Sequence, residues 1–441
     1  MSQRKNQKKR STVRHTRAIQ RDRSKRPLVA PPDAQIEGRL RELLLPAIKA
    51  ERPHFKALGL RERQLPLAVM VAIVISLIWR QLGSSGSEVA RLLSSEGLLW
   101  VPVLIVTQQA ISERLRTFPP ELFWGCLQHL MPVLQARWQA RQRALPPLLA
   151  WAQAQYSAVL AADGSTLDAL LCKVGLLREQ DTRPLAGKLF AVLDVCMHLP
   201  RALWYTEAAQ THDQQFWEHL VQCVPAGALL LLDLGFTNFL YYARLSFCTF
   251  ITRAKSNLAY EVARVLQQTA AVQDYVIWVG QGATRQQLRL VLVRHGGGWY
   301  RYLTNELDPQ RLPALYVANL YRQRWRIEDV FQIVKRVLGL AYFWTGSVRG
   351  ILLQVWATWL VYGILVDLTD AVAEALERPF QDLSLEMVYR GLYYFRQACQ
   401  RGETNDPIAY LAANAPWLGI IKQRCKRSKA KSLALTGSAD P

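Results

Sequence analysis

The stretch YRQRWRIEDVFQIVK, residues 321–335, places Tyr321, Arg324, Glu328 and Lys335 at offsets of 0, 3, 7 and 14. On an α-helix, with about 100° per residue, these four side chains fall within an arc of about 60°. Apolar residues occupy the neighbouring arc: Ile327, Val330, Phe331, Val334, Val337 and Leu338. The spacing therefore predicts one helix over residues 321–335 that buries an apolar flank and presents a polar stripe beside it. A glutamate among three donors suited to phosphate indicates metal-assisted catalysis on a polyanionic substrate.

The positive charge of the chain is concentrated at its two ends. The 441 residues carry 55 Lys and Arg against 34 Asp and Glu, a formal net charge of +21. Residues 1–26 contribute +10 and residues 422–441 contribute +5, which leaves +6 for the rest. Basic tails favour nucleic-acid binding, because Lys and Arg that neutralise phosphates release condensed counterions. A pair of disordered, solubilising tails is the alternative.

The cysteines and the apolar segments indicate in which part of the cell the protein is expected. Seven scattered cysteines, with no CxxC pair and no zinc-type spacing, indicate reduced thiols. No apolar run follows the basic N-terminus, so we expect no signal peptide. Two apolar stretches, residues 65–79 and 351–366, span 15 and 16 positions, short of the roughly 20 that cross a bilayer. We predict buried core helices, no membrane partner, and a cytoplasmic, nucleoid-associated protein.

The N-terminal third has a helical pattern. Residues 1–32 are predicted as a disordered basic tail and residues 33–147 as a helical DNA-binding domain. Residues 87–93 and 107–116 resemble two helices of a helix-turn-helix, of which the second would offer polar residues to a groove: Gln108, Gln109, Ser112, Glu113 and Arg116. The 98–106 segment between them is longer than the usual turn of three or four residues, so an ordinary helical bundle is the alternative.

The pattern changes after Pro147 to strands that alternate with helices. This order predicts a mixed sheet covered by helices over residues 148–366. The predicted strands are 157–162, 188–195, 202–207, 228–232 and 249–253, and the predicted helices between them are 212–224 and 238–245. Three further strands, at 275–279, 288–295 and 299–304, make a β insertion at about 255–305. Residues 367–421 are predicted as C-terminal helices and residues 422–441 as a second basic tail.

Two of the predicted strands end in an aspartate with a glycine close behind it, Asp163 and Asp233. A strand end holds a carboxylate rigidly, and the glycine lets a ligand approach closely. An Asp-Gly pair taken alone is more often a turn. Asp168 and Asp194 compete with Asp163 for the first position, and we prefer Asp163.

Glu328 would complete a set of three carboxylates. Such a set repels itself unless hard divalent cations with oxygen ligands bind, so Mg²⁺ is the expected ion and Mn²⁺ a substitute. Two ions about 3.5–4 Å apart can activate water or a 3′-hydroxyl and stabilise the leaving oxygen of a phosphodiester.

With these motifs the chain resembles the bacterial insertion-sequence transposases that have a ribonuclease H-like DDE catalytic core. It is similar to the branch with a Tyr-x2-Arg-x3-Glu-x6-Lys signature, which residues 321–335 meet in full. The similarity extends to Asp163-Gly-Ser, Asp233-Leu-Gly-Phe, Phe250-Ile-Thr-Arg and Thr304-Asn, within residues 150–366. It implies an α/β fold, a ribonuclease H-like mixed sheet flanked by helices. A β-rich insertion would precede the last catalytic helix, and an all-α domain would lie at the N-terminus.

The resemblance also implies an activity, which is cut-and-paste DNA transposition with two bound Mg²⁺ ions. Asp163, Asp233 and Glu328 would be the catalytic residues and metal ligands. Five residues would contact DNA: Tyr321, Arg324, Lys335, Arg253 and Trp299. In relatives that form a DNA hairpin, a tryptophan of the insertion stacks on a flipped base, a role open here to Trp299 or Trp278, and the compact insertion leaves the hairpin step open.

The expected partners are transposon-end and target DNA and a second copy of the chain in a synaptic complex. The alternatives are a transposase-derived DNA-binding protein that no longer cuts and a structure-specific nuclease.

Overall fold

The computed structural model describes residues 34–63, 65–80, 86–167, 187–340, 343–345 and 347–422. The basic tail at residues 1–32 lies outside them, as does the second tail beyond Lys422. Six helices precede the sheet: α1 (Ala34–Ala57), α2 (Leu67–Trp79), α3 (Gly86–Ser95), α4 (Gln108–Thr117), α5 (Glu121–Ala140) and α6 (Pro147–Gln155). Thr107 caps α4, since its hydroxyl accepts from the Ala110 amide.

The sheet has nine strands in the described part of the chain. They are β1 (Val159–Leu167), β2 (Gly187–Asp194), β3 (Pro200–Thr206), β4 (Leu229–Leu232), β5 (Thr249–Arg253), β6 (Glu261–Gln268), β7 (Val272–Val279), β8 (Gln286–His295) and β9 (Gly298–Thr304). Their order is β3-β2-β1-β4-β5-β9-β8-β7-β6. Strands β1, β4 and β5 run parallel, whereas β2 and β3 pair antiparallel. The predicted α/β fold of ribonuclease H-like type is confirmed.

The predicted insertion continues this sheet. Strand β9 pairs antiparallel with β5, and β8, β7 and β6 follow outward in turn. The insertion has four strands, one more than predicted. A buried ion pair lies within it, since the guanidinium of Arg289 binds both carboxylate oxygens of Asp274 at 2.8 and 2.6 Å. Arg289 also donates to the Leu312 carbonyl at 2.6 Å, which ties the insertion to the helix that follows.

The helices between and after the strands cover the sheet. They are α7 (Trp217–Cys223), α8 (Phe239–Arg244), α9 (Ala314–Tyr321), α10 (Arg326–Gln332), α11 (Val348–Ala375), α12 (Leu385–Gln400) and α13 (Pro407–Ala413). Helix α11 is long and apolar enough to cross a membrane by length and composition, yet 89% of its most apolar window is buried inside the protein. This burial supports a core helix.

The core helix α11 is longer than the apolar stretch that predicted it. It continues through Asp367 and Asp370 because arginines of the N-terminal helices neutralise these buried carboxylates. Arg39 binds Asp367 at 2.5 Å, and Arg141 binds Asp367 at 2.6 Å and Asp370 at 2.9 Å. These ion pairs join the helical region to the core.

Residues 321–335 are helical as predicted, but they do not form one uniform α-helix. Helix α9 ends at Tyr321, a 3₁₀ turn spans Arg322–Trp325, α10 follows, and a π turn spans Ile333–Val337. Such changes of pitch rotate individual side chains away from their positions on a uniform helix. The predicted apolar flank is buried as expected, whereas Tyr321 and Arg324 are buried as well and form no solvent-facing stripe.

Candidate active site

Asp163 and Asp233 lie side by side because of the strand register. The last residue of β1 that pairs with β4 is Ala162, opposite Leu232. Each aspartate therefore directly follows the paired segment of one of two adjacent parallel strands. Strand β1 itself runs on to Leu167 by pairing with β2 alone, so Asp163 lies within the strand rather than at its end.

Glu328 reaches the same place from α10, which packs against β1. The guanidinium of Arg324, one turn earlier, lies among all three carboxylates. Its Nη1 is 3.2 Å from Asp163 Oδ2, its Nη2 is 2.7 Å from Glu328 Oε1, and its Nε is 3.7 Å from Asp233 Oδ1. The Arg324 side chain is only 6% exposed, and the ring of Trp325 lies 5.0 Å from its guanidinium carbon. Three distant segments thus converge on one buried cation.

The carboxyl of Asp163 has a perturbed proton affinity. Burial raises its pKa to about 6, the nearby Arg324 opposes that shift, and the charges of Asp233 and Asp213 add to it. Its Oδ1 accepts a hydrogen bond from the Gly164 amide at 2.8 Å, which favours the ionised form. Burial and the neighbouring carboxylates therefore oppose the ionisation of Asp163, whereas Arg324 and the Gly164 amide favour it.

The donor set has the chemistry that a hard divalent cation requires, since three carboxylates offer oxygen ligands around a common point. The guanidinium of Arg324 now holds that point. Within the described ranges, no three His, Cys, Asp or Glu side chains are already spaced to hold an ion. A divalent cation and Arg324 would therefore compete for the same oxygens.

Three other predicted site residues surround the carboxylates. Lys335 donates to Ser165 Oγ at 2.7 Å and to the Thr166 carbonyl at 2.5 Å, both on β1. Arg253 ends β5 and is exposed at the same edge of the sheet. Tyr321 is 5% exposed, and its ring centroid lies 5.3 Å from that of Tyr302.

The two tryptophans of the insertion are in different settings. Trp299 is 39% exposed beside the β8–β9 turn. Trp278, on β7, carries the guanidinium of Arg285 at 4.9 Å from its ring centroid. It lines an open groove of about 920 Å³ that Thr237, four positions after Asp233, also lines.

Asp194 and Asp168 are the alternatives to Asp163 for the first carboxylate. Asp194 is buried, and its Oδ1 accepts from the amides of Cys196 and Met197 at 2.9 Å, so it caps the turn after β2. Asp168 lies outside the described residues.

A second ion pair beside the carboxylates escaped the sequence analysis. Lys188 Nζ on β2 is 2.5 Å from Asp213 Oδ1. A Cβ at Gly164 would come within 2.4 Å of that oxygen and 2.5 Å of Lys188 Cε, so the glycine makes room for the pair. The sequence gives no signal for this pair, since neither residue belongs to a motif and Asp213 lies in a 3₁₀ turn after β3.

Part of the chain is similar to a known protein family. Residues 179–362 match the family described as Transposase DDE domain. The match covers less than half of the 441 residues. The matched range contains Asp233 and Glu328, and Asp163 precedes it.

Two curated relatives agree with the DDE domain. The chain is 26% identical over 191 residues to the transposase candidate y4zB of Sinorhizobium fredii. It is 23% identical over 186 residues to the transposase candidate of insertion sequence element IS4SA in Synechocystis sp.. Each match covers 40% of this chain and 52% of the relative, so the chain spans about half the length of both. The resemblance to insertion-sequence transposases is confirmed, and the Tyr-Arg-Glu-Lys branch stays a prediction.

Proposed function

We propose that this protein is a DNA transposase that cleaves DNA at the ends of its element and joins the freed ends to target DNA. The observation that carries the proposal is the convergence of Asp163, Asp233 and Glu328 on a single cation, in a chain whose residues 179–362 match the transposase DDE family. Carboxylates are costly to bring together unless a cation offsets their repulsion. A site of this kind is expected where metal-dependent chemistry needs it.

Asp163, Asp233 and Glu328 would hold two Mg²⁺ ions, for which Mn²⁺ could substitute. When bound, such ions activate water or a 3′-hydroxyl and stabilise the leaving oxygen. Asp163 must be ionised to serve as a ligand; burial raises its pKa to about 6, and a bound cation would favour the ionised form. Arg324 would be released from the carboxylates and become free to bind a phosphate.

The remaining residues would hold the DNA strand. Arg253 is exposed at the sheet edge beside Asp233 and offers a planar fork to a phosphate. Lys335 would supply a point charge near Ser165, and buried Tyr321 would support Arg324 from behind. For base stacking we favour Trp278 over Trp299, because its groove adjoins the segment that follows Asp233.

The partners follow from the same proposal. Transposon-end DNA and target DNA would be the substrates, bound by a dimer of the chain in a cytoplasmic, nucleoid-associated complex. The polar residues named on α4 are all exposed, as a recognition helix requires.

The proposal is tested with linear DNA that carries the sequences flanking the gene, incubated with the protein, Mg²⁺ and a target plasmid. A transposase gives cleavage at matching inverted repeats and joined donor–target products. Cleavage with no joined product would indicate a nuclease, and binding with no cleavage would indicate a silent DNA-binding protein. Either result would overturn the proposal.

A further inference from the structure

A cavity lies behind the helix that carries Glu328. Its volume is about 470 Å³, and it is enclosed by α10, the π turn, the start of α12 and the turn that follows β2. Its lining residues on α10 and the π turn include Arg326 and Arg336, on a different face from Glu328. The carboxylate site does not include it.

Cationic groups predominate in this cavity. Arg326, Arg336 and Lys422 line it, and none of them has a carboxylate within 4.0 Å in the part of the chain that the structure describes. Two acidic residues also line it. Asp329 is exposed, and Glu386 is already paired with Arg390 at 2.8 Å. The cations that remain unpaired outnumber the available carboxylates.

Buried polar groups in the wall are left without partners. Gln381 is 6% exposed, and neither its amide nitrogen nor its amide oxygen has a hydrogen-bond partner in the described structure. His198 is also 6% exposed, its Nε2 is unpartnered, and its ring stacks on Phe380 at 4.3 Å. Buried polar atoms without a partner are costly. Such atoms in a cavity wall indicate that a ligand supplies the missing hydrogen bonds.

A helix N-terminus adds to the positive potential. Ser384 caps α12, a helix of 16 residues, and Ser384, Leu385 and Glu386 all line the cavity. The Ser384 Oγ accepts from the Met387 amide, which leaves its hydroxyl proton free to donate. Helix N-termini favour anions through unpaired amides and the helix dipole.

We propose that this cavity binds a phosphate group, carried either by a free nucleotide or by the DNA backbone. Arginine forks match phosphate oxygens, and the helix N-terminus, the Gln381 amide and the His198 imidazole supply further donors. The volume accommodates a nucleoside monophosphate. Arg326 lies two positions before Glu328 on the same helix, so an occupied cavity would fix the helix that carries the third carboxylate.

The test uses the full chain and two probes. Binding of 5′-dAMP is measured by isothermal titration calorimetry, and binding of a random 20-base-pair duplex by fluorescence anisotropy at several salt concentrations. Arg336→Gln removes a cation from the cavity, and Gln381→Leu removes its amide at similar volume. Arg378→Gln, which removes an exposed arginine outside the cavity lining, is the matched control.

The two sources of phosphate give different results. If the source is a nucleotide, 5′-dAMP binds to wild type, and its affinity falls about tenfold in both cavity variants. A fall of this size is expected when one charge-assisted hydrogen bond is lost. In Arg378→Gln the affinity stays at the wild-type value. If the source is DNA, the slope of log affinity against log salt falls by about 0.9 in Arg336→Gln and is unchanged in Arg378→Gln. If neither probe separates the cavity variants from the control, the proposal is overturned. That outcome would leave the proposed transposase activity untouched, because the carboxylate site is separate.

Discussion

Arg324 should compete with divalent cations for the three carboxylates, and replacing it should strengthen metal binding. In Arg324→Gln the guanidinium that now neutralises Asp163, Asp233 and Glu328 is gone. The carboxylates then repel one another, and a divalent cation has no competitor. We therefore expect the variant to bind Mn²⁺ more tightly than wild type when DNA is absent.

The magnitude follows from the three contacts. The Asp163 contact, at 3.2 Å between side chains that are 6% and 16% exposed, is a charge-assisted hydrogen bond of about 1.5–3 kcal/mol. The Glu328 and Asp233 carboxylates are 35% and 39% exposed, so solvent screening limits each of their contacts to about 0.2–0.5 kcal/mol. The sum is at least about 2 kcal/mol, which corresponds to about a thirtyfold change in affinity.

The assay is calorimetric titration of the full chain with Mn²⁺ at pH 7.5. Arg322→Gln is the control, because it removes the same charge two positions away and Arg322 has no ion pair with the carboxylates in the described structure. We expect its affinity for Mn²⁺ to stay within about threefold of wild type, since a charge that forms no ion pair with the carboxylates acts on them only through screened, longer-range interaction. Equal affinities for wild type and Arg324→Gln would refute the competition.

Three further predictions concern other parts of the chain. Burial raises the pKa of Asp194 to about 6, so the folded state holds this proton more tightly than the unfolded state and stability falls as pH rises towards 6. As pH rises from 5 to 7, the free energy of unfolding of Asp194→Asn, measured with urea, should therefore increase by about 1.4 kcal/mol relative to that of wild type. The same stability difference at both pH values would contradict the raised pKa of Asp194. Arg289→Met leaves Asp274 buried and unpaired and should lower the free energy of unfolding by about 3–5 kcal/mol. Adding Asp274→Leu should recover most of that loss, because the unpaired charge is then gone. No recovery in the double variant would count against the ion-pair explanation. Removing residues 1–26 should weaken DNA binding and flatten its dependence on salt, and an unchanged slope would exclude a phosphate-binding role for that tail.

The sheet and its two aspartates could be predicted from the sequence because the signals are local. The strand predicted at residues 249–253 has the bounds of β5. The strand predicted at 188–195 is shifted by one residue from β2, and the strand predicted at 228–232 begins one residue before β4. Continuous apolar runs bounded by turns mark such buried strands. Since the carboxyl ends of adjacent parallel strands share an edge, the approach of Asp163 and Asp233 followed from the fold.

The missed features depend on tertiary contacts. Strand β6 is exposed along nearly its whole length, so no alternation of apolar and polar residues indicates it. The pairing of Lys188 with Asp213 joins β2 to the turn after β3, a tertiary contact that spacing does not encode. The changes of helical pitch at residues 321–335 carry no sequence signal. Arg324 is buried among the carboxylates, whereas a uniform helical projection places it on a solvent-facing stripe.

The central claim is that Glu328 acts with Asp163 and Asp233 in cutting DNA. The most direct measurement is Mg²⁺-dependent cleavage of the element ends by wild type, Glu328→Gln and the control Glu403→Gln. The control changes an exposed glutamate whose side chain pairs with Arg401. Glu328→Gln should lose at least about a thousandfold in rate, as expected when one member of a catalytic unit is removed, while Glu403→Gln cleaves like wild type. Cleavage by Glu328→Gln at the wild-type rate would contradict the account.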